Sequence, residues 1–241
     1  MNPGGSVGAV ADTAREVRPL IVDVAVYERI RPMQHRDADA VAALHHAAMG
    51  NSLWARLGLR FLGTLYRTLV DLPGFIAFVY EEDGELRGFI AGSTDPDAMM
   101  SRAFRRGWPL LGPAALPNAL DPRILRHLLQ TGQYKSVSDR VNLPGAVPAE
   151  SLFCSFSPQL RGRRVAGAIN KVLFDDLLSR GHRYVKVTTE VDNEGANRQL
   201  KSWGFSDCGR FSFYGKDMVT YVLDLVASPR VEPLGHHPML E

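Results

Sequence analysis

The sequence predicts a mixed α/β (α+β) domain in which helices flank a sheet, and three stretches carry that expectation. The apolar run Leu152–Phe156 leads through a basic turn into an amphipathic helical pattern. A β-branched, alternating run, Tyr184–Val191, follows it. Two such strands paired in parallel take a right-handed crossover through the helix. Earlier, Phe75–Tyr80 and Leu86–Gly92 flank Glu82-Asp83-Gly84-Glu85, and Asp-Gly between apolar runs is a hairpin signal. Late in the chain, Arg210–Tyr214 and Val219–Leu225 read as a closing hairpin around Gly215-Lys216-Asp217.

The 241 residues suffice for one large domain or two small ones. A hydrophobic content of 45% and a charged content of 22% suit an ordinary soluble globule. A net charge of +2 gives no case for nucleic acid or membrane binding. Cys154 and Cys208 offer neither a disulfide framework nor a metal motif. No apolar run approaches the ~20 residues that span a bilayer. Residues 1–18 lack the basic start and apolar core of a signal peptide, which points to a cytoplasmic protein. Residues 1–20 read as a flexible tail, 21–226 as a single domain, and 227–241, with Pro229, Pro233 and Pro238, as an irregular tail.

Within the domain, Val24–Pro32 reads as a first strand. Asp37 or Asp39 then caps a helix to Met49, with Val41, Leu44 and His45 on one side. Leu53, Leu57, Phe61, Leu65 and Leu69 give Ser52–Val70 a helical stripe, which Gly58 and Gly63 weaken. Residues 97–148 form a long segment ahead of the Leu152–Phe156 strand, an insertion by the resemblance described below. Met99–Trp108 and Pro122–Gln130 read as helices, with Pro109, Pro113, Pro117 and Pro122 punctuating the space between them. Arg102, Arg105, Arg106, Arg123, Arg126, Lys135 and Arg140 outnumber Asp97, Asp121 and Asp139 there. Two readings stand: a solvated surface insertion, or a lid over a second substrate. In the helix after the turn, Val165, Ile169, Val172, Leu173 and Leu177 share one face, while Lys171, Asp175 and Arg180 lie off it. Gly181 ends it.

The turn is where chemistry concentrates. Backbone N–H groups at a helix start have no intrahelical partner and hold anions. Gly162 allows close backbone approach, and Arg161, Arg163 and Arg164 add positive charge. This stretch resembles the GCN5-related N-acetyltransferases, whose helix opens with Gln/Arg-x-x-Gly-x-Gly/Ala. Two registers fit: Arg161-x-x-Arg164-x-Ala166 and Gln159-x-x-Gly162-x-Arg164. Pro158, three residues ahead of Arg161, favours the first. Asn193-Glu194-Gly195-Ala196-Asn197, followed by Trp203-Gly204-Phe205, is similar to the family's later block.

The resemblance implies a mixed, mainly antiparallel central sheet and an acetyl-CoA-dependent transfer to a primary amine of a small molecule or polypeptide, directly in a ternary complex. It also implies that Cys154, Ser155 and Phe156 meet the pantetheine arm and that the turn from Arg161 through Val165 and Ala166 to Gly167 holds the pyrophosphate. Gln159 is the other candidate first position, and Asn193 sits near the cofactor arm. A family tyrosine seven residues after that asparagine protonates the leaving thiolate; Leu200 stands there instead, so Tyr214, Ser155 or water must serve. For the base, Glu150 at the start of the central strand comes first and Glu190 second, since partial desolvation raises a carboxylate toward working pH. His45 and His46 could face the acceptor, but a surface pair is the simpler reading. His236 and His237 lack further ligands, and Cys154 reads as inert packing. The basic insertion suggests an acceptor with an anionic group. A homodimer is compatible with the sequence but not indicated by it. The rival function is a catalytically silent acyl-CoA-binding or regulatory module, motivated by Arg164 and Leu200.

Overall fold

The computed structural model describes residues 17–50, 52–119, 141–213 and 215–233. Strands β1 (Ile30–Pro32), β2 (Phe75–Glu82), β3 (Glu85–Ser93), β4 (Glu150–Phe156), β5 (Tyr184–Glu190), β6 (Ser206–Phe213) and β7 (Lys216–Asp224) form one sheet in the order β1-β2-β3-β4-β5-β7-β6. Every adjacent pair is antiparallel except β4–β5. The helices are α1 (Val24–Tyr27), α2 (Ala38–Met49), α3 (Leu53–Arg56), α4 (Leu59–Val70), α5 (Pro96–Ala119), α6 (Val165–Ser179) and α7 (Glu194–Trp203). They cover both faces. Ile76, Phe78 and Tyr80 point from β2 into a core with α6 and α7, while Val79, Phe89 and Ala91 point into a second core with α2, α4 and α5. Asp83 and Gly84 both take positive φ (55° and 76°), the requirement of a two-residue turn whose twist matches that of the strands it joins.

Several expectations need correction. Val24–Tyr27 is a helical turn, not strand, because the Asp23 carboxylate accepts from the Ala25 N–H and caps it. Strand β1 keeps only three residues, at the edge, where Pro32 can stand without an N–H to pair. The N-cap of α2 is Asp37, yet its carboxylate is spent on the Gln34 N–H and the Arg31 guanidinium.

The prolines of the insertion do not interrupt it. Helix α5 runs 24 residues through Pro109, Pro113 and Pro117. At four-residue spacing they share one face, and that face is exposed, so the carbonyls they leave unbonded stay open to water. Met99, Ala103, Leu111 and Ala114 are buried on the other face against α4. This part of the insertion is core, and each large apolar side chain buried there contributes about 1.5–3 kcal/mol. The helix expected over Pro122–Gln130 lies outside the described residues.

Lys171 and Asp175, off the apolar stripe of α6, are buried all the same. Residues 17–23, α1 and the C-terminal segment cover that side of the helix, so 17–20 and 227–233 are packed rather than loose. The Lys171 ammonium lies 2.8 Å from Asp175 and 2.8 Å from Glu232, and donates to the Arg230 carbonyl. The Arg230 guanidinium donates to the Arg18 carbonyl and sits over the Trp203 ring.

Candidate active site

Strands β4 and β5 run side by side for only two residue pairs, Glu150 with Lys186 and Ser151 with Val187. Beyond them the strands diverge, and the edge of β4 from Leu152 to Phe156 has no ladder partner on that side among the described residues. Its register with β3 slips between Ala91 and Gly92, leaving Leu152 as an extra residue. That bulge puts the consecutive side chains of Leu152 and Phe153 against the same core. A cleft of about 720 Å³ opens along the split, walled by β4, β5, the C-terminal end of α2, and α7.

Strand β4 runs on into the turn before α6, while the cleft itself meets α6 at Asn170 and Phe174. Gly162 and Arg164 both take positive φ (81° and 59°). Arg164 holds the left-handed conformation at the N-cap of α6, a strain of order 1–3 kcal/mol in a residue with a Cβ. Glycine normally removes that strain; since Gly162, the fourth position of the other register, also takes positive φ, the backbone fits either register of the motif. A Cβ on Gly162 would meet open space, so that glycine serves backbone conformation rather than crowding. Arg161 and Arg164 are exposed and have no ion-pair partner among the described residues, whereas Arg163 grips Glu82 with both terminal nitrogens at 2.7 and 2.6 Å.

Side chains alternate along β4. Cys154 lines the cleft, 4.0 Å from the Asn170 amide, and burial pushes its thiol up to about 12, so it stays protonated and inert as a nucleophile. Ser155 faces the opposite side. Its hydroxyl donates to the Leu44 carbonyl at 2.9 Å, tying β4 to α2 and leaving it poorly placed to protonate a thiolate in the cleft. Phe156 returns to the α6 side, and Gln159 caps nothing but accepts from the Ser157 hydroxyl. Val165, Ala166 and Gly167 form the first turn of α6, with Leu20 lying over Gly167.

Glu150 was expected to face the cleft. It lies instead at the closed end of the split, buried, with Lys186 at 3.4 Å, and is not among the cleft-lining residues. Glu190, at the end of β5, does line the cleft and pairs with Lys216 of β7. Asn193 also lines it and caps α7 by accepting from the Ala196 N–H at 3.2 Å. Leu200 is buried on the cleft wall. Tyr214, like His236 and His237, lies outside the described residues.

The two histidines of α2 part company. His46 is exposed. His45 is in the core, its Nδ1 2.6 Å from the Tyr66 hydroxyl and its ring 4.8 Å from that of Phe153. Burial pushes its imidazole down to about 4, with His46 a lesser cause, so it is neutral at physiological pH. Of the basic residues of the insertion, Arg102, Arg105 and Arg106 are exposed on α5, and Arg123, Arg126, Lys135 and Arg140 lie outside the described residues.

Sequence reasoning missed two asparagines. The Asn170 amide donates to the Ala166 carbonyl at 2.7 Å and reaches Cys154 in the cleft. Asn197 donates to the carbonyls of Glu190, Val191 and Asn193, fixing the end of β5 where Glu190 stands. Asn197 belongs to the Asn193–Asn197 motif, which marked it without revealing its role.

This architecture matches solved N-acetyltransferases. The chain aligns with a ribosomal-protein-alanine N-acetyltransferase from Brucella melitensis (TM-score 0.52, 16% identity, 81% of this chain and 99% of that one). It also aligns with an N-acetyltransferase from Staphylococcus aureus Mu50 (TM-score 0.50, 16% identity, 80% and 99%). A third match is the protein SsHAT (TM-score 0.54, 16% identity, 80% and 96%). The fold is therefore that of the GCN5-related N-acetyltransferases. No family model matches the sequence, and no curated protein matches it. Among the described residues, no helix is long and apolar enough to cross a membrane.

Proposed function

We propose that this chain is an acetyl-CoA-dependent N-acyltransferase that moves an acetyl group to a primary amine of a small molecule or polypeptide within a ternary complex. The observation that carries the reading is the free edge of β4 beside a cleft, in a strand that runs on in sequence into the turn at the N-terminus of α6. An extended pantetheine arm suits that edge, because it hydrogen-bonds backbone groups as a neighbouring strand does. A pyrophosphate suits the turn, because the first N–H groups of α6 have no intrahelical partner and Arg161 and Arg164 are exposed beside them. When bound, acetyl-CoA supplies an activated thioester.

The chain's own residues do the rest. Backbone groups of Cys154–Phe156 align the arm, and an N–H near the Leu152 bulge polarises the carbonyl oxygen as it gains charge. Arg161 and Arg164 hold phosphate. Glu190 takes the proton from the acceptor amine, since it is the carboxylate of β5 that reaches the cleft. Leu200 has no proton to give, so the thiolate takes its proton from Tyr214 or from water in the open cleft.

Leu200 is also the specific observation favouring a silent acyl-CoA-binding module. Thiol release from acetyl-CoA against a panel of primary amines separates the two. Turnover that falls about 10²–10⁴-fold in Glu190→Gln, with cofactor affinity kept, supports the enzyme. Tight binding with no release across the panel supports the module.

A further inference from the structure

Arg163 stands between two residues in left-handed conformation, Gly162 and Arg164, in the middle of the phosphate turn. Its side chain is 44% exposed but, unlike those of Arg161 and Arg164, it is held in an ion pair. Both terminal nitrogens hold the Glu82 carboxylate, at 2.7 and 2.6 Å. Glu82 closes β2 and is only 14% exposed. Arg29 also pairs with it, and the Tyr80 hydroxyl reaches it at 3.4 Å. A second tie comes from the same hairpin: the Ser157 N–H donates to the Arg87 carbonyl at 2.6 Å where the chain leaves β4. The β2–β3 hairpin thus grips the turn at its start and at its middle, on the side away from β5.

We propose that Glu82 is a positioning residue for the phosphate turn: by fixing Arg163 between Gly162 and Arg164, it presets the strained backbone whose N–H groups receive the pyrophosphate of the cofactor. A segment strained at one residue and permissive at another populates competing conformations unless its surroundings decide. A bidentate arginine–carboxylate pair supplies direction as well as attraction. Prepaying the ordering of the turn shows up as affinity for the ligand that needs it. The Arg163 guanidinium holds the Glu82 carboxyl down to about 2, so the tether persists across the working pH range. On this assignment Arg163 acts on the turn, while Arg161 and Arg164 meet phosphate. The inference rests on the acyl-CoA reading of the cleft.

The test is a double-mutant cycle on the full chain, with CoA affinity measured by calorimetry for wild type, Glu82→Ala, Arg163→Ala and the double variant. Each single change is expected to weaken CoA binding about two- to fivefold, and the double no more than the weaker-binding single. Turnover with acetyl-pantetheine, which lacks the phosphates, should be unaffected by Glu82→Ala, a split that general destabilisation does not produce. Glu82→Gln, which keeps the shape of the side chain, covers the case of a poorly folded alanine variant. Tighter binding in Glu82→Ala or Glu82→Gln would show Arg163 to be a phosphate ligand sequestered by Glu82, and overturn the assignment. Unchanged binding, or losses that multiply in the double variant, would overturn it as well. Failure of the wild-type chain to bind CoA at all would sink the functional reading, and the tether's role with it.

Discussion

Arg164 offers a sharp test, because one residue carries both a strained backbone and a free charge. Its φ of 59° belongs to glycine, and its guanidinium lies exposed at the N-terminus of α6. Arg164→Ala removes the charge and keeps the strain; Arg164→Gly removes both. If the guanidinium holds a CoA phosphate, both variants lose one charge-assisted hydrogen-bonded contact, worth about 1.5–3 kcal/mol, and bind CoA about tenfold or more weakly. Folding stability should separate them. Glycine relieves about 1–2 kcal/mol of left-handed strain, against about 0.5–1 kcal/mol of added chain entropy, so Arg164→Gly melts at or above the Arg164→Ala temperature. Calorimetry and thermal melting on the same samples read both quantities. Tighter CoA binding in either variant would mean that Arg164 obstructs the turn, and equal affinity in all three chains would remove it from the site.

Gly162→Ala places a Cβ in open space but at a φ of 81°, so it should cost about 1 kcal/mol of stability and weaken CoA binding through the turn, with melting and calorimetry as the checks. The pH dependence of stability should come from two buried groups of opposite sign. His45 is pushed down from 6.5 to about 4, so the unfolded chain binds more protons between those values and stability falls as pH drops through them. Asp175 is pushed up by burial from 3.8 to about 6, against the pull of Lys171, so the folded chain binds more protons and stability is lost as pH rises through that window. In denaturant unfolding, His45→Gln should therefore cost less at about pH 4.5 than at about pH 7, and Asp175→Asn more; the same sign for both would refute the assignment. Leu111→Ala should destabilise by about 2–5 kcal/mol, since α5 is core; a change under about 0.5 kcal/mol would return it to the status of a surface insertion.

Much of the fold was legible because it rests on local signals. The Asp83-Gly84 turn, the stripe from Val165 to Leu177 and Gly181 (φ 84°) just past the α6 C-terminus each specify their element without help from the rest of the chain. The turn before α6 was legible in the same way, from Gly162 at the head of an apolar helical stripe; that it holds phosphate belongs to the proposal. What failed depended on partners distant in sequence. Lys171 and Asp175 lie off the apolar stripe, and nothing local says that residues 17–23 and 228–233 will cover them. Pro109, Pro113 and Pro117 read as breaks because a proline reports its lost N–H and not its neighbours; their shared exposed face emerges only once α5 lies on α4. Glu150 and Glu190 both end up near β4 and β5, but which reaches the cleft is set by where those strands part, a property of the pair.

The central claim is that the divergence of β4 from β5 is a binding site for an acyl-CoA, and a crystal structure of the chain soaked with acetyl-CoA tests it most directly. The account predicts the pantetheine arm along β4 beside Cys154–Phe156, the pyrophosphate on the turn from Arg161 to Gly167, and the thioester close to Glu190. Density for the cofactor elsewhere, or a cleft that stays empty at saturating acetyl-CoA, would contradict it.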